Sequence, residues 1–487
     1  MPLLENAQMN SSAKVRQGVV GLFVANGLSF LVVGLSYLAL SRILMPADLG
    51  LYSAALVIGS FGTMVLDAGL KNTVIKAPSA PTRDQEGVLV GLLLIVSAAL
   101  LGILIAASQP VSYLRPEVQH DYRFLVVFGG IYLVSYPFII VPTAILERRL
   151  SYVNLAWIES VGLLIERAAP LPLLLWSHAG VHSFAIALLA GRALRVVALA
   201  ALYPVRPRFP TKARLGEVRY LLVEGVWFQL AMATALVRDN LSVLLIGPLF
   251  GKQWMGYYAW GLQLCLIASQ AFVQIASRVS LPVLAQSEDL EHRWHYCLVQ
   301  SKILTILTGP ALLVLLAAIS QADRALFNGK WQVATALLPL LFFRLLPGMS
   351  TTPLGILVMV QSGSRAYARA SVQWTVAEVV GAVVMIAIMG PTGLAWSMSL
   401  CGWIGFAALA RAAGPRPNRV VQKLLAEITL RPSLLCAAIG AAAVHYFSAR
   451  NILSLYATGL MSVAVLLASL ALEPTLRKML VPHAHPG

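Results

Sequence analysis

Fourteen apolar runs divide the chain, near residues 18–40, 51–70, 87–108, 124–146, 152–176, 183–203, 221–246, 254–281, 298–320, 332–360, 371–389, 392–410, 433–447 and 453–472. Most approach or exceed the roughly 20 residues that a membrane-crossing helix needs. Short polar connectors separate them. The first pair, Gly18 to Leu40 and Leu51 to Leu70, flanks Ser-Arg-Ile-Leu-Met-Pro-Ala-Asp-Leu-Gly at 41–50. In that connector Arg42 and Asp48 meet water, Pro46 is expected to end the helix, and Gly50 to allow a strained restart.

The same hairpin returns 206 positions later. Leu221 to Ile246 is apolar, Gly247 to Gly256 reads as a turn, and the next run opens Tyr-Tyr-Ala-Trp-Gly-Leu. Gly50 maps onto Gly256, Tyr52 onto Tyr258 and Leu56 onto Leu262. The pattern is an internal repeat. It predicts an all-α polytopic membrane protein with about 14 transmembrane helices. The helices form two six-helix bundles in parallel repeat, followed by two further C-terminal helices. The boundaries are 1–203 for the first bundle, 204–220 for a basic, Pro-rich cytoplasmic linker, and 221–410 for the second bundle. A second cytoplasmic linker occupies 411–432, and the last two helices with a cytoplasmic tail occupy 433–487. In the second linker Val420, Val421, Leu424, Leu425 and Ile428 share one helical face, which suits a short helix on the membrane surface or a solvated loop helix.

Composition sharpens the class. The chain is 59% hydrophobic and 11% charged, with mean hydropathy +0.78. A soluble domain carries about 25% charged residues. The net charge of +16 is explained by topology, without a nucleic acid. With the N-terminus in the cytoplasm, the exterior holds only Arg42, Arg115, Arg123, Lys252, Arg324, Lys330 and Arg450. Five arginines lie within spans, and the other 24 of the 36 lysines and arginines are cytoplasmic. That bias sets both termini inside. Lys14 and Arg16 precede a run too long for a signal-peptide core, so the first run is read as a retained span. The four cysteines are scattered and imply no disulfide framework.

Charges inside spans carry the candidate chemistry. A charge at mid-helix costs about 2.5–3.5 kcal/mol on insertion scales, so it faces a cavity or a partner. Span 5 has Glu159, Glu166 and Arg167, and span 6 has Arg192 and Arg195, three apart and on one face. Span 7 has Glu224, Arg238 and Asp239, span 10 has Arg344, and span 11 has Glu378. The last two spans have none. Arg192, Arg195, Arg344, Arg238 and Arg167 suit a phosphate-bearing ligand, because a guanidinium binds phosphate through paired hydrogen bonds. Asp239, Glu159, Glu166 and Glu378 are read as structural or coupling charges. The blander alternative is that Arg238–Asp239 and Glu166–Arg167 neutralise local charge. Pro339, Pro347 and Pro353 surround Arg344, and Pro339 and Pro347 mark a candidate hinge.

Other motifs add no chemistry. His292, His295 and Cys297 form H-x-x-H-x-C on a cytoplasmic loop with no further ligand at a zinc spacing. Gly247 to Lys252 ends Gly-Lys at the wrong spacing for a phosphate loop, with Gln253 where Ser or Thr is needed. No metal or other cofactor is expected. Exterior loops are short and hold no carboxylate pair placed for acid–base work, which argues for transport over catalysis.

Residues 41–52, the Leu-Asp-Ala-Gly-Leu end of span 2 at 66–70, and Asp239 with the following Leu-Leu-Ile-Gly and Gly256-Tyr257-Tyr258 resemble the Wzx-type oligosaccharide-lipid flippases. Those belong to the multidrug/oligosaccharidyl-lipid/polysaccharide exporter superfamily. The resemblance covers the whole chain. It implies two six-helix bundles around a central cavity that opens alternately to each side. It also implies transfer of undecaprenyl-diphosphate-linked repeat units across a bacterial cytoplasmic membrane for O-antigen or exopolysaccharide synthesis. Implied partners are the lipid-linked oligosaccharide, membrane lipid, and chain-polymerase and length-regulator proteins. In the related lipid II flippases the cavity is cationic and the two extra helices form a groove for the lipid tail. Asn26, with no arginine cluster in span 1, departs from those. The competing readings are a cation-coupled drug exporter of the same fold and a sugar-polymerising membrane enzyme.

Overall fold

The structure, a computed structural model, describes residues 32–67, 69–76, 80–114, 119–149, 152–177, 180–211, 226–286, 289–414, 422–423, 426, 431–449 and 455–473. Asn26, Glu224 and the apolar face of the second linker lie outside them. The described residues are overwhelmingly helical, with no strand among them. In order, α1 is Val32–Ile43, α2 Pro46–Asp67, α3 Leu70–Lys76, α4 Arg83–Leu114, α5 Gln119–Arg148, α6 Tyr152–Ala168, α7 Pro170–Ser177 and α8 His182–Leu202. After the linker come α9 Val226–Asp239, a π-helical turn Ser242–Ile246, α10 Gly247–Phe250, α11 Lys252–Gln286, α12 Leu290–Phe327, α13 Gln332–Gln361, α14 Gly363–Met389 and α15 Gly393–Ala412. The chain closes with α16 Pro432–Ala449 and α17 Leu455–Ala471.

Among the described residues seven helical stretches are long and apolar enough to cross a membrane, or eight if Gln229–Asp239 and Ser242–Phe250 are one bent span. One of the seven, Gly363–Ala412, holds both α14 and α15, which pack along each other beyond the turn at Gly390. The fold class read from the apolar runs is thus realised. Two spans are broken. The fifth is split between α6 and α7 just ahead of Pro170, whose missing N–H and ring interrupt the ladder. The seventh breaks just after Asp239.

Both hairpin turns differ from expectation in the same way. Pro46 begins α2 instead of ending α1, because a first-turn proline forfeits no hydrogen bond. Asp48 supports that start: its Oδ2 accepts from the Met45 N–H at 3.1 Å. The connector shrinks to Leu44 and Met45. In the second hairpin the turn sits at Gly251, φ +87°, and Gly256 lies inside α11.

The described residues divide into two compact units, one of residues up to Leu44 with Leu51–Leu236, the other of Met45–Gly50 with Val237 onward. In the first, α5 packs against α4 and α8, and α6 against α8. Its core gathers Leu66, Leu89, Leu133, Val141, Ile145 and Leu199. Beyond α8 the linker residues 204–211 follow without helix. The Arg208 N–H donates to the Gly87 carbonyl at 2.8 Å, and Tyr203 Oη donates to Glu86 Oε1 at 2.7 Å. In the second unit α11, α13 and α15 pack together, α15 pairs with α14, and α16 and α17 pack on α12. Arg431 and Glu473, at the two ends of the α16–α17 pair, form a buried ion pair.

The repeat is visible as a contact inside the second unit. A Cβ on Gly50 would stand 1.8 Å from the Lys252 carbonyl oxygen, and one on Gly256 would stand 1.7 Å from that of Pro46. Pro46 and Lys252 are themselves 206 residues apart. Equivalent turns of α2 and α11 therefore cross backbone to backbone, which only glycine permits.

Candidate functional site

In the first unit the charges of α6 and α8 converge. One oxygen of Glu166, Oε1, lies 3.3 Å from Arg192 Nε and 3.2 Å from Arg195 Nη2. All three side chains are largely buried, at 9%, 13% and 7% exposure for Arg192, Arg195 and Glu166. Two glycines make room: a Cβ on Gly162 would strike Arg195 Nε, and one on Gly191 would strike Glu166 Cγ. Arg192 lies over the Tyr132 ring, 4.0 Å from its centroid. Arg167 points elsewhere, and its Nη1 donates to Tyr52 Oη at 3.0 Å. Glu159 is exposed on α6, within electrostatic reach of Arg195. Glu166 Oε1 and the Nε atoms of Arg192 and Arg195 are buried, and they meet as an ion pair without well-aligned hydrogen bonds. Two buried guanidinium groups thus share one buried carboxylate, with the exposed Glu159 a further counter-charge to Arg195.

The second unit holds a cluster of different balance. Arg344 Nη2 donates to Asp239 Oδ1 at 3.0 Å and lies 3.6 Å from Glu378 Oε1. Arg238 Nε is 3.7 Å from Asp239 Oδ1 and 4.0 Å from Glu378 Oε2. The Arg238 guanidinium lies on the Trp374 ring at 3.7 Å. Glu378 is fully buried, while Asp239 is 60% exposed. Two guanidinium groups here face two carboxylates. The π-helical turn that follows Asp239 is a feature often found at functional positions.

The sequence located these charges and missed what surrounds them. Tyr132 and Tyr52 lie on other helices, and nothing in their local pattern marks them, whereas Trp374 stands one helical turn before Glu378 on α14. Gly162 and Gly191 carry a readable signal, since Gly162 is one helical turn before Glu166 and Gly191 adjoins Arg192. Pro339 and Pro347 sit inside α13, which runs unbroken through them. His292, His295 and Cys297 lie on α12, not on a loop. Cys297 is buried in a core cluster with Trp294 and Phe406, while both histidines are exposed, so the three do not converge.

Residues 39–336 match the family model described as polysaccharide biosynthesis protein. The chain belongs to that family. An uncharacterized membrane protein in the cps region of Klebsiella pneumoniae is 22% identical over 346 residues, 69% of each chain. Among solved structures, the lipid II flippase MurJ in an inward closed conformation matches with TM-score 0.69 and 12% identity, covering 95% of this chain and all of that one. An inward-facing multidrug resistance MATE family transporter matches with TM-score 0.53 and 14% identity, over 86% of this chain and 95% of that one. At such identities the likeness is one of fold. This member of the polysaccharide biosynthesis family is therefore a multi-pass membrane protein with the fold of membrane flippases and transporters, as the Wzx-type resemblance implied.

Proposed function

We propose that the protein is a flippase that moves undecaprenyl-diphosphate-linked oligosaccharide repeat units across the bacterial cytoplasmic membrane by alternating access. It serves surface or exopolysaccharide synthesis and is a transporter, not an enzyme. The observation that carries this reading is the buried Glu166–Arg192–Arg195 cluster, in which two guanidinium groups share one buried carboxylate oxygen. Buried charge is rarely retained for stability alone. A diphosphate supplies further acceptors and negative charge to guanidinium groups that share a single carboxylate. Arg167 sits one residue from Glu166 and adds to the positive field. Arg238 and Arg344, already balanced by Asp239 and Glu378, join in only if a carboxylate gives way. In this scheme those carboxylates hold the arginines between transport cycles, and Pro339 and Pro347 let α13 flex.

Both termini are cytoplasmic in this reading, with the two bundles at 1–203 and 221–410 rocking about the linker. The loop charge bias supports that orientation. The cps-region relative and the family's description support a polysaccharide role. Chain-polymerase and length-regulator proteins are its expected neighbours. The test is complementation in the source strain with its own copy deleted. Restored surface polysaccharide by the wild type, and not by Arg192→Ala or Arg195→Ala at equal membrane abundance, supports the reading. Drug resistance without polysaccharide would favour the exporter and sink the proposal.

A further inference from the structure

The segment after α8 is fastened to the start of α4. Tyr203 Oη donates to Glu86, and Arg83 Nη1 donates to the Pro204 carbonyl at 3.1 Å. The next two carbonyls lie on glycines. A Cβ on Gly87 would stand 2.5 Å from the Arg206 carbonyl oxygen, and one on Gly91 would stand 2.0 Å from that of Arg208. Residues 206 and 208 therefore follow α4 inward, along a track that only glycine leaves open. Glu86 is the last charged residue of α4. Gly91 is five residues beyond it, about 7.5 Å along a helix. Interfacial segments lie at such depths, sunk about 5–10 Å into the boundary between headgroups and acyl chains.

The segment is suited to that depth. The Arg208 side chain turns back toward the start of the helix: its Cβ and Cγ pass Gly87, and its Nη1 reaches Asp84 Oδ2 at 2.9 Å, seven residues before Gly91. An arginine with its backbone below the polar surface returns its charge to water in this way. The backbone also has few groups that resist leaving water. Pro204, Pro207 and Pro210 have no N–H. The Arg208 N–H is bonded to the Gly87 carbonyl at 2.8 Å and the Thr211 N–H to the Phe209 carbonyl at 3.1 Å. Val205 packs on the bundle core, whereas Phe209 is 75% exposed. Past Gly91 the same face of α4 continues to Ile95, Ala98 and Gly102, all exposed. Nothing polar on that face suits a water-filled cavity, and a span presents such a face to lipid.

We propose that residues 204–211 form a membrane-interface anchor, with Phe209 inserted among phospholipid acyl chains where α4 enters the bilayer. In the orientation proposed above this is the cytoplasmic leaflet. The anchor fixes the start of the linker to the first unit, so any movement of the linker begins beyond Thr211. It depends on α4 being a span and on neither the cargo nor the side that faces the cytoplasm.

The test is spin labelling of the full chain, reconstituted in vesicles of phosphatidylcholine and phosphatidylglycerol. One nitroxide is placed on Phe209→Cys and another, in a separate sample, on Ala80→Cys, an exposed position just before α4. The unsubstituted chain, with three cysteines buried and one half-buried, gives the background. Oxygen concentrates in the bilayer and a nickel chelate in water. At 209 relaxation by oxygen should exceed relaxation by nickel severalfold, and at 80 the order should reverse. Gly91→Ala, which pushes the Arg208 carbonyl off α4, should raise nickel access at 209 severalfold. Arg208→Gln, an exposed change that spares the helix packing, should raise it in smaller measure. Nickel access at 209 equal to that at 80 overturns the proposal, as does access unaltered by both substitutions. Exclusion of both oxygen and nickel at 209 would set Phe209 against protein, and overturns it too.

Discussion

Gly256→Ala tests the repeat crossing at a single atom. The added methyl would lie 1.7 Å from the Pro46 carbonyl oxygen, 2.5 Å from its carbon and 3.1 Å from its Cα. All three are backbone atoms of another helix. To reach even 3.0 Å from the oxygen, the helices must separate by about 1.3 Å, the difference between 3.0 and 1.7. No rotamer can absorb that, so the cost falls on the packing of α2 against α11. Overpacking of this kind costs about 1–3 kcal/mol, and more where backbone must move. Gly50→Ala meets the Lys252 carbonyl at 1.8 Å and should cost the same. The double variant should cost little more than either single, because the first substitution already opens the shared contact. Gly102→Ala is the control: nothing lies within 4 Å of its added methyl. There alanine should gain about 0.5–1 kcal/mol of helix stability. The assay is melting temperature of purified protein together with membrane abundance. Wild-type melting of Gly256→Ala, or a fall for Gly102→Ala of equal size, would refute the crossing and with it the repeat register.

Three further outcomes follow from the charge clusters and the loops. Glu166→Gln leaves two buried guanidiniums without their carboxylate, and breaking such a pair costs about 3–5 kcal/mol. Abundance should fall, and Arg195→Leu added to it should recover part of the loss; no recovery in the double variant would mean the two are uncoupled. Asp239→Asn weakens the 3.0 Å bond from Arg344 and should lower polysaccharide export more than Asp84→Asn, whose exposed partner is Arg208. Matched export by the two variants would make Asp239 incidental. Reporter fusions at Ser79 and Pro486 should read cytoplasmic and those at Pro116 and Asn328 exterior, and opposite signals at two sites would overturn the orientation.

The parts of this protein that were legible in its sequence are those that depend on length and polarity. Apolar runs gave the helices, and a 206-residue offset gave the equivalence of Gly50 and Gly256 that the structure shows as a reciprocal crossing. Charges in apolar runs pointed to Glu166, Arg192 and Arg195. Rotation about the helix axis was not legible, because a membrane helix apolar on every side carries no stripe to mark its inner face. Nothing local therefore shows Tyr132 beneath Arg192. Pro46 misled for a different reason. A proline next to a polar connector ends one helix or begins the next with equal ease, and only the Asp48 bond to the Met45 N–H decides it. The break after Asp239 likewise has no proline or glycine at 239–241 to announce it.

The central claim is that Arg192 and Arg195 receive a diphosphate. It is tested most directly by reconstituting the full chain in vesicles that contain a fluorescent undecaprenyl-diphosphate oligosaccharide and following its appearance in the opposite leaflet. The account predicts transfer by wild type, slowed but measurable transfer by Arg195→Lys, which keeps charge but loses the two-pronged contact, and none by Arg192→Ala or Arg195→Ala at equal protein content. Wild-type rates for both alanine variants would contradict it.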